Sequence, residues 1–355
     1  MSGLDSFLKG ARLNLQDLGW DDGFAAALEP HDNCIAGRIS AQHRGEYDVL
    51  TEAGELRAHL AGRLRHEASS GADLPAVGDW VALRDAVIHA VLPRRSAFER
   101  KVNLAATEAQ VLAANIDTVF VVTALDDDFS PTRIERYLTL AWESGATPAL
   151  VLTKADLCDD PLAMLLQAEQ VALGAPAHVV SNVTGEGLDE LAPYLGPAKT
   201  VALLGSSGVG KSTLANRLLG HEAQATKTLA EDGTGRHTTV ARQLIRLPGG
   251  ALLVDTPGLR EVQLWDADEG IEQAFADVDD LAAGCRFNDC AHEQEPGCAV
   301  QEAIDEGRLP RERLQSYRAL QRELHRLAAK QDARLRAEEK KKRVAFAKSL
   351  RKSAW

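Results

Sequence analysis

No stretch of this sequence stays apolar for the roughly 20 residues that a membrane-crossing helix needs. The N-terminus, MSGLDSFLKGARLNLQDLGW, lacks the unbroken apolar core of an export signal. The two absences lead us to expect a cytoplasmic protein with no membrane partner. Cysteine is scarce: Cys34, Cys158, Cys285, Cys290 and Cys298 are the only five, an odd number. That argues against a disulfide framework, and the crowding of three of them into one short stretch favours a metal. There are no internal repeats, which excludes a solenoid.

What is present is a globular balance. The chain has 355 residues, 45% hydrophobic and 26% charged, enough for two or three domains. The net charge of −12 hides an asymmetry. Residues 308–355 hold 16 Lys/Arg against 5 Asp/Glu, a net of +11, which leaves −23 on the rest. A basic tail on an acidic body fits contact with a polyanion.

The pattern divides the chain into four parts. Residues 1–30 show no strong period and read as a flexible arm. Residues 31–104 carry short β-rich pieces, CIAGRIS, EYDVLT, ELRAHLAGRL, DWVALR and VIHAVLP. Five short strands in such a span fit a small barrel of OB type. Residues 105–278 alternate strand and helix, from IDTVFVVTAL through TPALVLT, AHVVS and KTVALLG to ARQLIRL and ALLVD. Such alternation means a mostly parallel sheet with helices on both faces, and ligands bind at the carboxyl ends of its strands. Residues 279–355 hold a Cys/His cluster and then a helical pattern, with Leu314, Tyr317, Leu320, Leu324 and Leu327 at helical spacing.

Gly205-Ser206-Ser207-Gly208-Val209-Gly210-Lys211-Ser212 matches G-x-x-x-x-G-K-S, and Thr213 follows it. It comes after the strand KTVALL and opens a helix, the context the motif requires. Backbone N–H groups of such a loop curl around phosphate oxygens, and the helix N-terminus adds its partial positive charge. Lys211 is placed to reach the β- and γ-phosphates and Ser212 to bind Mg²⁺. Asp255-Thr256-Pro257-Gly258 follows the apolar strand ALLV. Asp255 can hold Mg²⁺ through water, and the Gly258 N–H can meet the γ-phosphate. Between them, Gly235-Arg236-His237-Thr238-Thr239 sits in a polar, glycine-containing stretch suited to a switch. Either Thr238 or Thr239 can supply the Mg²⁺-sensing hydroxyl; Thr239 is our choice for the metal. Leu259 stands where many such enzymes keep a glutamine that orients the attacking water. His237 is the nearest group able to take that role.

Thr153-Lys154-Ala155-Asp156 ends another apolar strand and resembles the N/T-K-x-D base reader. Guanine presents two donors, N1–H and N2–H, and one carboxylate, here Asp156, accepts both. Adenine would leave that carboxylate unpaired, which discriminates strongly. Lys154 packs its stem over the base. Thr153 replaces the commoner Asn, putting one loop-bracing hydrogen bond in doubt. Ser181-Asn182-Val183-Thr184-Gly185-Glu186-Gly187 resembles the S-A-x-x-G loop that supports guanine O6 through backbone N–H. Both motifs precede the phosphate loop, the reverse of the ordinary order. The same sheet forms if the chain is circularly permuted. Cys285-x4-Cys290-x-His292-x5-Cys298 then offers three thiolates and an imidazole within 14 positions, a full set for one structural Zn²⁺.

In this order the motifs TKAD, SNVTGEG, GSSGVGKS, GRHTT and DTPG, followed by C-x4-C-x-H-x5-C, resemble the ribosome-small-subunit-dependent GTPases (the RsgA, YjeQ or EngC family). GDW at Gly78–Trp80 and LPRRS at Leu92–Ser96 resemble that family's N-terminal barrel. The resemblance covers nearly all of the chain past its first 30 residues or so. It implies a bacterial GTPase that binds the small ribosomal subunit and its rRNA late in assembly. Hydrolysis of GTP to GDP is stimulated there and helps release, and the proposed catalytic histidine falls at His237. The expected fold is α/β: a circularly permuted P-loop G domain with an N-terminal OB-fold barrel and a C-terminal zinc-binding helical domain, acting as a monomer. The barrel's Arg38, Arg44, Arg57, Arg63, Arg65, Arg94 and Arg95 are candidates for an RNA-facing surface. The alternatives are a nucleotide-gated RNA-binding chaperone in which hydrolysis is incidental, and an ATPase.

Overall fold

A computed structural model describes residues 12–103, 106–172, 174–220, 242–255, 271, 274–287, 289–293, 295–322 and 324, with backbone alone over 101–103 and 106–109. Five strands form the first unit: β1 Ile35–Gln42, β2 Glu46–Thr51, β3 Gly54–Leu60, β4 Trp80–Arg84 and β5 Val87–Val91. They pair in the order β1-β2-β3-β5-β4, and β4 pairs back onto β1, closing a barrel. Its inside is filled by Ile39, Tyr47, Val49, Ala58, Val81, Leu83 and Ile88, one face of alternating strands. Register shifts at Ile39/Ala41 and Ala82/Leu83 give the strands the bend that closure needs. The piece ELRAHLAGRL is not one strand. β3 ends at Leu60, and α1 and α2 cover Asp22–Leu28 and Gly62–Glu67. The α2 turn buries no side chain and carries an Arg63–Glu67 pair at i,i+4, so solvation and local pairing favour a helix there.

The expected flexible arm is only partly outside the described residues. From Arg12 onward it is ordered against the barrel. Leu13, Leu18 and Phe24 are buried, and Trp20 meets Trp80 edge-on with centroids 4.8 Å apart. Asp21 caps α1 by accepting from the N–H groups of Gly23 and Phe24. Single anchors in such short turns leave no period to read.

The second unit is a six-stranded sheet. It contains β8 Thr118–Ala124, β9 Thr147–Thr153, β10 Ala177–Val179, β11 Thr200–Leu204, β12 Gln243–Arg246 and β13 Leu252–Asp255. The order is β10-β9-β8-β11-β13-β12, with all pairings parallel except β12 against β13. Every residue of β8 is buried, which is why it reads as a continuous apolar run. Helices α3 Pro131–Glu143, α4 Pro161–Glu169 and α5 Lys211–Leu219 flank it. Separate apolar clusters form on the sheet's two faces. The hairpin β6 Ala97–Asn103 with β7 Ala106–Ala114 links barrel to sheet, and the expected domain boundary at residue 104 lies between its two strands in sequence.

Barrel and sheet share hydrogen bonds where β12 meets β1, at Ala41 and Gln243. Arg38 of β1 sits at this junction, 1% exposed. It donates to the carbonyls of Leu18, Gly78 and Asn115 and, at 2.9 Å, to Thr200 Oγ1 of β11. Arg94 makes a bidentate pair with the buried Asp79 at 2.7–2.8 Å. Neither faces solvent as the RNA-facing reading requires. The outer side of β1 is covered by the arm and the sheet, a coverage that composition does not reveal. Arg44, Arg57, Arg63 and Arg65 are exposed. Arg95 is half-exposed and tied to Asp21.

The C-terminal helices are α6 Ala276–Ala282, α7 Ala299–Asp305 and α8 over residues 311–322. Leu314, Leu320 and Leu324 are buried and Tyr317 packs beside them, as their spacing predicts; Leu327 lies outside the described residues. α8 docks on α3, where Thr132 and Ser316 hydroxyls lie 3.3 Å apart.

Candidate guanine-nucleotide site

The phosphate loop, the base reader, the second loop and Asp255 lie at the carboxyl ends of the parallel strands. β11 ends at Leu204 and the phosphate loop turns immediately. Gly205 has φ +151°, and a Cβ there would lie 2.2 Å from the Val122 carbonyl oxygen, so only glycine lets the loop hug the sheet. Gly210 has φ +91° and leads into α5. Lys211 is buried and its Nζ donates to the carbonyls of Gly205 (2.8 Å) and Ser206. The amine therefore lies over the loop, where a phosphate chain would wrap. Ser212 and Thr213 are exposed on the first turn of α5, and Asp255 ends β13, which pairs directly with β11. Hard oxygen donors on adjacent elements suit Mg²⁺.

Thr153 ends β9 fully buried, and its hydroxyl donates to the Val209 carbonyl at 2.6 Å. The loop-bracing bond that the Asn-to-Thr replacement put in doubt is thus made by a shorter side chain. Lys154 takes a left-handed conformation, φ +62°, and its Nζ meets Asp126 at 2.8 Å. That hydrogen bond holds the Asp126 carboxyl below its usual range, against a weaker opposing effect of burial. Asp156 is exposed, as a base reader must be. Ser181, fully buried, donates to Asp156 Oδ1 at 2.5 Å and accepts from the N–H groups of Val183 and Thr184. One carboxylate oxygen is thereby fixed in place. Asn182 donates through Nδ2 to the Gly210 carbonyl at 3.2 Å. The second loop, the base reader and the phosphate loop form one bonded unit, although they lie up to 60 residues apart in the chain.

Several participants are not apparent from the motifs. Arg217 of α5 donates to the carbonyls of Asn182 (2.7 Å) and Val183 (2.5 Å), pulling the second loop onto the phosphate-loop helix. Arg133, at the start of α3, pairs with Asp128 and donates to Ser206 Oγ at 3.2 Å. A legible hint was the run Asp126-Asp127-Asp128, one residue after the buried strand β8. His237, Thr238, Thr239 and Gly258 lie outside the described residues, as does Leu259.

Away from this site, Cys285, Cys290, His292 and Cys298 bring their ligand atoms within 4.8 Å of one another. Cys285 and Cys298 sulfurs are 3.9 Å apart, and each lies 3.5 Å from His292 Nδ1. Tetrahedral zinc with legs of about 2.3 Å to sulfur and 2.0 Å to nitrogen has edges of roughly 3.8 and 3.5 Å. The donor set and its edges fit Zn²⁺, which would tie the turn after α6 to the start of α7. Cys298 also caps α7, accepting from the Gln301 N–H. Four protein donors would leave no open position on a bound ion.

Comparison with known proteins agrees with this geometry. A family profile described as RsgA GTPase matches residues 91–265. "Small ribosomal subunit biogenesis GTPase RsgA 2" of Lactiplantibacillus plantarum is 50% identical over 319 residues, covering 88% of this chain and 90% of that one. The "Small ribosomal subunit biogenesis GTPase RsgA" of Streptomyces coelicolor is 49% identical over 348 residues, covering 94% of each. The crystal structure of YjeQ from Thermotoga maritima superposes with a TM-score of 0.63 at 27% identity, over 82% of this chain and 98% of that one. YloQ, "a circularly permuted GTPase", shares the fold at a TM-score of 0.59, 24% identity, 83% of this chain and 96% of that one. With relatives this similar along nearly its whole length, and with the permuted sheet and its loops in place, the chain belongs to the RsgA GTPase family and is a GTP hydrolase.

Proposed function

We propose that this GTPase binds the small ribosomal subunit and assists its late maturation, with GTP turnover stimulated by the subunit. The observation that carries the guanine reading is the Ser181–Asp156 bond at 2.5 Å, which presents a fixed carboxylate to the base. The subunit reading comes from the names of the relatives that match along nearly the whole chain. Lys211 and the backbone N–H groups of Gly205–Ser212 hold the phosphates. Ser212, Thr239 and Asp255 hold Mg²⁺, which screens the charge that develops on the phosphate oxygens. His237 orients the attacking water in place of the glutamine that Leu259 does not supply. Zinc on Cys285, Cys290, His292 and Cys298 stiffens the C-terminal unit. Arg44, Arg57, Arg63 and Arg65, with the basic tail, meet rRNA phosphates. The protein works as a cytoplasmic monomer; no helix among the described residues is long and apolar enough to cross a membrane.

The deciding experiment is GTP turnover with and without purified small subunits. A marked rise is expected. An unchanged rate sinks the subunit reading, and a stimulated rate that survives His237→Ala removes that residue from the chemistry.

A further inference from the structure

The phosphate loop ends in two peptides whose carbonyls are held from outside the loop. Thr153 Oγ1 holds the Val209 carbonyl at 2.6 Å. The Gly210 carbonyl accepts twice, from Leu214 N–H at 2.8 Å within α5 and from Asn182 Nδ2 at 3.2 Å. The described peptides are all trans. In a trans peptide the C=O and the following N–H point in opposite directions. Holding the Val209 carbonyl against the protein therefore aims the Gly210 N–H the other way, into the hollow of the loop. Holding the Gly210 carbonyl does the same for the Lys211 N–H. These are donors that such a loop offers to phosphate.

We propose that Asn182 is a positioning residue for the nucleotide phosphates: its backbone serves the base-reading loop while its side chain aims the phosphate-loop peptide. The assignment rests on the guanine-nucleotide site proposed above. It explains the Thr153 replacement. Thr153 has one hydroxyl donor and spends it on Val209, so it has none for Gly210. Asn182 is buried, and its Oδ1 has no partner among the described residues. A buried acceptor without a partner is unfavourable, so the amide is kept for its donor. One further contact and a close fit hold it in place. Arg217 grips the Asn182 carbonyl from α5, and a Cβ on Gly210 would approach Asn182 Nδ2 to 3.0 Å. The amide and the glycine are fitted to each other, and the base loop and phosphate helix clamp each other reciprocally.

The test uses the full chain and two ligands, GDP and guanosine; guanosine has the base and ribose but no phosphate. Asn182→Ala should weaken GDP binding and speed GDP release about tenfold, the size of one lost hydrogen bond to a carbonyl. Guanosine, measured by competition, should bind variant and parent alike. Asn182→Leu keeps the branched shape, removes the donor without adding charge beside the phosphates and should match the alanine variant; it carries the test if alanine impairs folding. The decisive arm is the double variant Thr153→Asn/Asn182→Ala, which returns an amide from the neighbouring strand and should recover GDP affinity. Unchanged GDP release in Asn182→Ala overturns the proposal. So does a parallel loss of guanosine binding, which would mean the side chain merely supports the base loop. Failure of the double variant to recover also overturns it. Failure of the parent itself to bind GDP would instead refute the guanine-nucleotide site.

Discussion

The guanidinium of Arg313, on α8, lies 2.8 Å from the carboxylate of Glu135, on α3, and both side chains are 1% exposed. Arg313 also pairs with Asp277 at 2.7 Å and stacks over Phe275 at 4.3 Å. The C-terminal unit is thus pinned to the helix whose first turn touches the phosphate loop through Arg133. Arg313→Met strands Glu135 in the interior and should cost about 3–5 kcal/mol of stability. Adding Glu135→Leu should recover most of it, because the uncompensated charge is gone. Urea unfolding of the two variants checks this; equal stability of both would show that the pair's burial is not the source.

Arg38 should tolerate lysine poorly. Burial pushes its pKa down to about 10, so it stays charged at neutral pH. A lysine has one nitrogen where the fork reaches four acceptors in three directions. Arg38→Lys should orphan at least one buried carbonyl and cost about 1–3 kcal/mol. Thermal unfolding measures it, and wild-type stability would mean that water replaces the fork.

The chain should carry about one zinc per molecule, read by elemental analysis. Cys298→Ser should lose the metal and destabilise the C-terminal unit, since Cys298 both completes the donor set and caps α7. A metal-free protein with an unchanged unfolding curve would leave the four residues as a packing cluster.

Asp156→Ala should lower GTP affinity by about 10²- to 10⁴-fold, the value of two charge-assisted hydrogen bonds, and erase the preference over ATP. Competition between the two nucleotides reads this directly. Retained preference would place the base elsewhere.

The Asp126–Lys154 pair predicts a pH signature. Lys154 depresses the Asp126 pKa, so the pair's contribution is complete above the ordinary carboxylate range, near pH 4. It is lost as pH falls through the depressed value. GDP affinity of the parent should exceed that of Asp126→Asn by a constant factor above about pH 5, and the gap should close on acidification. A gap that persists in acid would point to packing rather than charge.

The phosphate loop, the base reader, the Asp255 turn and the Cys/His cluster were legible in the sequence because each is a short run whose chemistry requires its neighbours. The parallel sheet was legible because strands buried on both faces, such as β8, stay apolar throughout. The hairpin β6–β7 was not. Strand β7 is alanine-rich and β6 is mostly charged or polar, compositions with weak β preference, and their pairing with each other decides the structure. Arg38 and Arg94 were misread because an arginine's surroundings, not its sequence position, determine whether it meets solvent or a ring of carbonyls. The order of the motifs was determined by the sequence alone. Only the tertiary structure decided how they brace one another: Thr153 on Val209, Asn182 on Gly210, Arg217 on Asn182 and Ser181 on Asp156. Those bonds depend on which strand ends the sheet makes adjacent, and strand order in a sheet is a property of the whole chain.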